Sequence, residues 1–208
     1  MKENLKALKL TTDVKGKEIK AETDDTKTVQ HGYFKDKDVT DRKLSDWTGK
    51  WQSAYPYLLD GTLDPVWAYK AKASKGEQTD QEVKDYYTKG YQTDVEQIII
   101  DGKKNKVTFV QNGEKHTYTY KYVGYKILKY EKGNRGVRYL FEAKESDAGD
   151  FKYVQFSDHE ITPVKAAHFH IFHGGKSQEA LYDELENWPT YYPSNLSGLE
   201  VAQEMLAH

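Results

Sequence analysis

The chain has 208 residues and a formal net charge of −2, from 31 basic and 33 acidic side chains. This near balance gives no electrostatic reason to expect a nucleic acid or an anionic membrane surface as the partner. The absence of cysteine excludes a disulfide framework and a cysteine-bound zinc site, and no apolar run approaches the roughly 20 residues of a membrane helix.

The first residues are predicted to lie outside the folded part of the chain. Residues 4–8 have helical spacing, whereas residues 11–27 are charged, rich in threonine and without periodicity, which is typical of a linker. Met1 is followed by a polar segment rather than by the apolar core of a signal peptide. We therefore expect a helix remnant and flexible linker over residues 1–30 and one domain of lipocalin size over residues 31–208.

The next elements are predicted to be one strand and two helices. A strand-like stretch opens at Gly49-Lys50-Trp51 and ends at Pro56. Asp64-Pro65 is a typical helix start, with Asp64 as the N-cap, and this helix is expected to continue to Gly76. Residues 79–82 form a capping box whose helix should end at Gly90.

Residues 93–173 are predicted to be almost entirely strands and turns. Turn sequences such as Asp101-Gly102 and Asn112-Gly113 separate apolar runs. With the strand near Trp51 there are about eight strands, enough to close a small barrel. We therefore predict a mainly β fold with helical additions, built on an antiparallel β-barrel. The strands predicted in this stretch are 95–100, 107–111, 116–123, 126–131, 137–142, 151–159 and 167–173.

Two further helices are predicted before the sequence ends. Ser177 is expected to cap a helix over 178–187, which Pro189 terminates. Residues 197–200 form a second capping box that leads into a helix over 201–207.

Three histidines are predicted to converge on one point. His168 and His170 project from the same face of a strand, because alternate side chains share a face. If the preceding run pairs antiparallel with His159 opposite His168, their Cβ atoms lie about 5 Å apart. Three such rings packed together in a barrel interior would cost free energy unless their lone pairs were satisfied. Three neutral imidazoles with one open position are the protein ligands of a mononuclear zinc site.

The remaining polar groups near this segment are harder to assign. Water, a carboxylate or His208 could complete the metal coordination, although His208 could equally be an exposed residue. His173 has the opposite parity and is expected at the rim, and His31 is expected to be structural or exposed. Asp158, Glu142 or a tyrosine could accept the free ring N–H of a ligand. Because ligand histidines must be neutral, metal affinity should weaken below about pH 6.5.

Seven short motifs occur in order between about residue 30 and the end of the chain. They resemble the ZinT (YodA) family, whose members have a calycin-like, lipocalin-like barrel with helical additions. The resemblance implies binding of Zn²⁺, or of Cd²⁺, by three histidines near one barrel mouth, which here are His159, His168 and His170. The motifs are Leu44-Ser45-Asp46-Trp47, Trp51-Gln52-Ser53, Gly124-Tyr125-Lys126-Ile127-Leu128, Gly136-Val137-Arg138-Tyr139-Leu140-Phe141-Glu142, Gln155-Phe156-Ser157-Asp158-His159, His168-Phe169-His170-Ile171-Phe172 and Asn187-Trp188-Pro189-Thr190-Tyr191-Tyr192-Pro193.

Residues 3–8 and 204–208 also resemble the AdcA-like zinc-binding lipoproteins of Gram-positive ABC importers, which carry such a domain at their C-terminus. This resemblance implies an upstream metal-binding lobe and an ABC importer as partners, a lipid-anchored extracellular or periplasmic parent, and a role that is not enzymatic. The chain departs from some relatives in two ways: Tyr118 and Ala143 stand where cysteines are expected, and a histidine-rich segment is missing.

Two other functions are compatible with parts of the sequence. A carrier of a small apolar ligand is suggested by Gly49-Lys50-Trp51, which matches the G-x-W of lipocalins, although so short a motif is weak. A zinc hydrolase is suggested by three histidines plus water, but the sequence has no H-E-x-x-H motif and no carboxylate at a spacing that marks a general base.

Overall fold

The computed structural model describes residues 28–208 and the backbone of two short strands, β1 (Thr11–Thr12) and β2 (Glu18–Ile19), which pair antiparallel. The helix remnant predicted over residues 4–8 lies outside the described residues. Within the described part, none of the helices has the length and apolar character needed to cross a membrane.

Eight strands close into an antiparallel barrel, as the sequence predicts. Consecutive strands from β3 to β10 pair with one another, and β10 also pairs with β3, which closes the barrel. The strands are β3 (Gly49–Ser53), β4 (Val95–Asp101), β5 (Lys106–Gln111), β6 (Glu114–Lys129), β7 (Arg135–Ala143), β8 (Tyr153–Ser157), β9 (Phe169–Gly174) and β10 (Thr190–Pro193).

The predicted number of strands is right because two errors cancel. The runs 116–123 and 126–131 form the single strand β6, which continues through a bulge between Tyr122 and Gly124. Gly124 has a φ of +121°, a conformation that glycine adopts without steric cost. Conversely, β10 follows Pro189, which marks a helix end in the sequence-based prediction, and was missed.

Aromatic side chains fill the interior of the barrel. The 3₁₀ turn Leu44–Trp47 inserts Trp47, which stacks on Phe156 with ring centroids 5.1 Å apart. Trp47, Phe156 and Phe169 are all fully buried. Because protein cores pack as densely as organic crystals, this interior is a hydrophobic core rather than a ligand cavity.

A second apolar cluster lies outside the barrel, where four helices pack on one another and on β10. The helices are α1 (Tyr55–Leu59), α2 (Asp64–Ala73), α3 (Asp80–Tyr91) and α4 (Gly198–Leu206). Tyr192 of β10 belongs to this cluster, whereas the preceding Tyr191 belongs to the barrel core. Because alternate side chains of β10 point to opposite faces of the barrel wall, this strand contributes to both apolar clusters, one inside the barrel and one outside it.

Both capping boxes are confirmed. The Thr79 hydroxyl accepts the backbone N–H of Glu82 at 3.1 Å, and the Glu82 carboxylate accepts that of Thr79 at 2.9 Å. Ser197 and Glu200 make the equivalent pair at the start of α4. A capping box depends on residues only three positions apart, so it can be recognised from sequence without knowledge of the tertiary contacts.

Four predicted boundaries of these elements shift. The first strand ends at Ser53, because Pro56 lies in the first turn of α1. Helix α2 has Leu63 as its N-cap, with Asp64 already helical, and it ends at Ala73 rather than at Gly76. Helix α3 continues through Gly90 to Tyr91.

The helix predicted over 178–187 is wrong. Only the 3₁₀ turn Glu179–Leu181 forms there. Arg138 donates hydrogen bonds to the carbonyl oxygens of Leu181 and Glu184 at 2.6 and 2.7 Å, and Gln155 donates to that of Gln178 at 3.0 Å. A helix needs these carbonyls for its own hydrogen bonds, so the barrel's polar side chains hold the segment in a non-helical path.

Candidate metal centre

His159, His168 and His170 converge, as predicted, and together they form the histidine triad. Each offers a ring nitrogen, and these three atoms lie within 4.8 Å of one another. The Nε2 atoms of His159 and His170 are 3.2 Å apart, and the three ring centroids are separated by 5.2 to 5.9 Å. No other group of three metal-ligating side chains is found among the residues that the structure describes.

The triad lies where β8 and β9 stop pairing. Ser157 opposite His170 is the last pair of the ladder, so His159 lies two residues beyond β8 and His168 one residue before β9. The predicted strands are therefore too long at this end. His159 has a φ of +67°, a left-handed conformation that costs a non-glycine residue about 1 kcal/mol or more.

Arg42 anchors the loop that carries His159. Its buried guanidinium donates to both carboxylate oxygens of Asp158 at 2.6 and 2.9 Å and to the carbonyl oxygen of Val164 at 2.9 Å. It also pairs with Asp46 at 2.8 Å. These bonds fix the loop on both sides of His159, which explains how a left-handed residue is maintained next to Asp158.

The triad lies on the outer face of the barrel wall, not in the barrel interior as expected. Phe169 and Ile171 point into the barrel core, so His168 and His170 must point the other way, toward the helices. They line a cavity of about 650 Å³. The other walls of this cavity include Tyr87, Tyr91, Trp188, Tyr192, Met205 and His208.

Neutral groups hold the rings of His168 and His170. His170 Nδ1 lies 2.6 Å from the Thr190 hydroxyl, and the His168 ring stacks on Tyr192 at 5.3 Å with an interplanar angle of 14°. Of the partners suggested by sequence, Asp158 is held by Arg42, and Glu142 lies 3.9 Å from Lys152. Sequence analysis therefore missed Thr190, because its strand was not recognised.

The triad imidazoles are all harder to protonate than an ordinary histidine. Burial lowers the pKa of His170 well below its usual value, and the neighbouring His159 and His168 lower it further. Burial also lowers the pKa of His168, to about 3, and that of His159, although the His159 ring is partly open to solvent. All three are neutral at pH 7, the form in which imidazole binds a metal.

Of the other histidines considered from sequence, two line the cavity beside the triad and one lies in the barrel. The ring of His208 lies 5.2 Å from that of His168 and, like His31, lines the same cavity. His173 points instead into the barrel near the opposite end of β9, where its ring packs against Phe151 at 4.8 Å. The expectation that His173 lies at the rim of the site is therefore wrong.

The triad suits a zinc ion in chemistry and in size. With Zn–N distances of about 2.0–2.1 Å, tetrahedral coordination places ligand nitrogens roughly 3.3 Å apart. The 3.2 Å separation between His159 and His170 matches this spacing, and the ligand nitrogen of His168 lies within 4.8 Å of both.

A family model described as "ZinT (YodA) periplasmic lipocalin-like zinc-recruitment" matches residues 25–208. The chain belongs to this family. Its closed barrel with appended helices is the lipocalin-like fold that the description names.

The chain is also similar to curated proteins that are named as zinc-binding. The chain is 69% identical, over all of its 208 residues, to the zinc-binding protein AdcA of Streptococcus pyogenes, of which it covers 40%. It is 65% identical to the zinc-binding lipoprotein AdcA of Streptococcus pneumoniae and covers 41% of it. The chain thus spans about two fifths of the length of these relatives.

Solved structures agree with the fold. The crystal structure of the Zn(II)-bound ZinT-like domain of Streptococcus pneumoniae AdcA superposes with a TM-score of 0.85 at 66% identity, covering 88% of this chain and 99% of that domain. Zn(II)-bound AdcA from the same organism gives a TM-score of 0.86 and 66% identity, covering 90% of this chain and 40% of that protein.

Proposed function

We propose that this chain captures Zn²⁺ through His159, His168 and His170 and supports zinc uptake. The observation that carries the proposal is the triad itself: three neutral imidazoles at zinc-compatible spacing in a chain of a zinc-recruitment family. Because the rings are already unprotonated at pH 7, capture requires no proton to be displaced from them.

The arrangement suits a carrier that must release its metal. Three protein ligands leave a fourth position that water, a carboxylate or the nearby His208 can fill, and His159 is open to solvent. A ligand on the solvent side gives the ion a route in and out. The family description is recruitment rather than turnover, so the proposed function is not enzymatic.

We further propose that the metal passes to an upstream metal-binding lobe and then to an ABC importer, outside the cytoplasm and on a lipid-anchored parent. The support is indirect: relatives that are 65–69% identical are about two and a half times as long as this chain, one is named a lipoprotein, and the family is described as periplasmic.

The carrier of an apolar ligand is not favoured. Such a protein needs space inside the barrel, and Trp47, Phe156 and Phe169 fill that space. A zinc hydrolase gains no support either, because the nearest buried carboxylate, Asp158, is engaged by Arg42 instead of facing a metal-bound water.

Zinc titration of the purified chain tests the proposed function. We expect one zinc per chain, and a loss of at least a hundredfold in affinity when all three histidines of the triad are replaced by alanine. His116→Ala is the matched control, since His116 packs against Phe151 at 5.7 Å in the barrel. Circular dichroism verifies that the variants are folded. Equal zinc affinity in the parent and a folded triple variant would show that the triad is not the site.

A further inference from the structure

The hydroxyl of Thr190 links a triad histidine to the main chain of the neighbouring segment. Thr190 pairs with His170 in the barrel register and is 1% exposed. Its Oγ1 lies 2.6 Å from His170 Nδ1 and 2.9 Å from the carbonyl oxygen of Trp188. Both distances are short enough for good hydrogen bonds.

The directions of these two hydrogen bonds can be deduced. A carbonyl oxygen only accepts, so the single hydroxyl proton of Thr190 is donated to Trp188. The hydroxyl oxygen must then accept from His170, which places a proton on Nδ1. In a neutral imidazole the other nitrogen, Nε2, is left with a free lone pair. That is the atom that lies 3.2 Å from His159 Nε2.

We propose that Thr190 is a positioning residue that fixes the tautomer and orientation of His170 before a metal arrives. Neutral histidine in water favours the opposite tautomer, with the proton on Nε2, which cannot bind a metal through that atom. Thr190 removes this competing form, and the indole of Trp188, 5.7 Å from the His170 ring at 83°, limits ring rotation. The consequence for zinc rests on the proposed function; the tautomer itself does not.

Two substitutions separate the hydroxyl from the shape of the side chain. Thr190→Val keeps the branched shape and removes the hydroxyl, whereas Thr190→Ser keeps the hydroxyl. Loss of a group that orients a metal ligand typically lowers affinity about 10- to 100-fold. We expect a loss in this range for Thr190→Val and a change of less than about threefold for Thr190→Ser. Thr108→Val, on the outer hydroxyl pair with Thr117, is the matched control and should bind zinc like the parent.

Nitrogen-15 NMR of the zinc-free protein reads the tautomer directly. We expect His170 to carry its proton on Nδ1 in the parent and in Thr190→Ser, and to shift toward Nε2 protonation in Thr190→Val. A parent spectrum with the proton on Nε2 would overturn the inference without any variant. So would parental zinc affinity in a folded Thr190→Val protein. If the parent binds no zinc, the proposed function fails, while the spectrum still decides the role of Thr190.

Discussion

Single residues determine how the triad competes with protons. Burial lowers the pKa values of all three imidazoles, and for His168 the value falls to about 3. A lowered pKa means that the proton is held less tightly than by a free histidine. Proton competition therefore begins at a lower pH than the value of about 6.5 expected from sequence.

Zinc affinity should accordingly resist mild acid. Three independent histidines with a pKa of about 6.5 would lose roughly fifty-fold in affinity between pH 7.5 and 6.0, since each must be neutral. We expect a loss of less than about threefold over this interval, with a steep fall only at lower pH. Competition against a chelator of known pH dependence measures this. A fifty-fold loss would mean that the rings titrate like exposed histidines.

Residue types and parity predicted which histidines converge, but not the side of the barrel wall on which they lie. Along β9 both faces carry buried apolar side chains, with Phe169 and Ile171 on one and Phe172 beside His170 on the other. Alternation separates the two faces without saying which one is inside. The inward face is set by the closure of the whole barrel and by the helices that cover Tyr192, and these contacts are distant in sequence.

At the scale of elements, helix α3 is linked to the triad through Trp188. A Cβ at Gly90 would lie 2.4 Å from the Trp188 ring, so only glycine leaves room for the indole. The backbone N–H of Trp188 donates to the Gly90 carbonyl oxygen at 2.8 Å, and the backbone carbonyl oxygen of Trp188 accepts from the Thr190 hydroxyl. Helix α3 thereby positions the segment that holds His170.

Gly90→Ala should weaken zinc binding although Gly90 does not contact the triad. The added methyl group displaces Trp188, and we expect affinity to fall about tenfold. The free energy of unfolding is a poorer measure of this displacement. Overpacking costs about 1–3 kcal/mol, but alanine is favoured over glycine in a helix by about 1 kcal/mol, which offsets part of that cost.

Gly175→Ala is the matched control for this substitution. Its Cβ would lie 2.8 Å from the Gly149 carbonyl oxygen, but Gly175 does not line the cavity beside the triad. It should destabilise the fold and leave zinc affinity unchanged. Equal losses of affinity in the two variants would attribute the effect to general destabilisation rather than to Trp188.

An element could be predicted from sequence where the contacts that determine it are local. The capping boxes at Thr79 and Ser197 depend on residues three positions apart and were found. The segment 178–187 has a cap-like start at Ser177, but its conformation depends on Arg138 and Gln155, which lie on β7 and β8. Local patterns carry no information about hydrogen bonds from such distant strands.

On the scale of the whole molecule, the two apolar cores are complete without a metal. One fills the barrel and the other joins the helices to its outer wall. The triad lies between them, at the end of a ladder that backbone hydrogen bonds already hold together. We therefore expect folding not to require the free energy of metal binding, in contrast to a zinc finger.

The zinc-free chain should remain fully folded. We expect unchanged near-ultraviolet circular dichroism in excess EDTA and a higher melting temperature with zinc. At a free zinc concentration of 100 times Kd, the added stability is about 2.7 kcal/mol. The variant lacking all three triad histidines should show no zinc-dependent shift. Loss of the aromatic signal in EDTA would show instead that the metal is structural.

The alternation along β9 also makes the placement of the histidine triad depend on the packing of the barrel core. A register slip of one residue would turn His168 and His170 into the barrel and expel Phe169 and Ile171 toward the helices. Such a state would bury unsatisfied imidazoles and lose two large core side chains, so it is strongly disfavoured. The side chains that stabilise the barrel core thus also determine the face of β9 on which His168 and His170 lie.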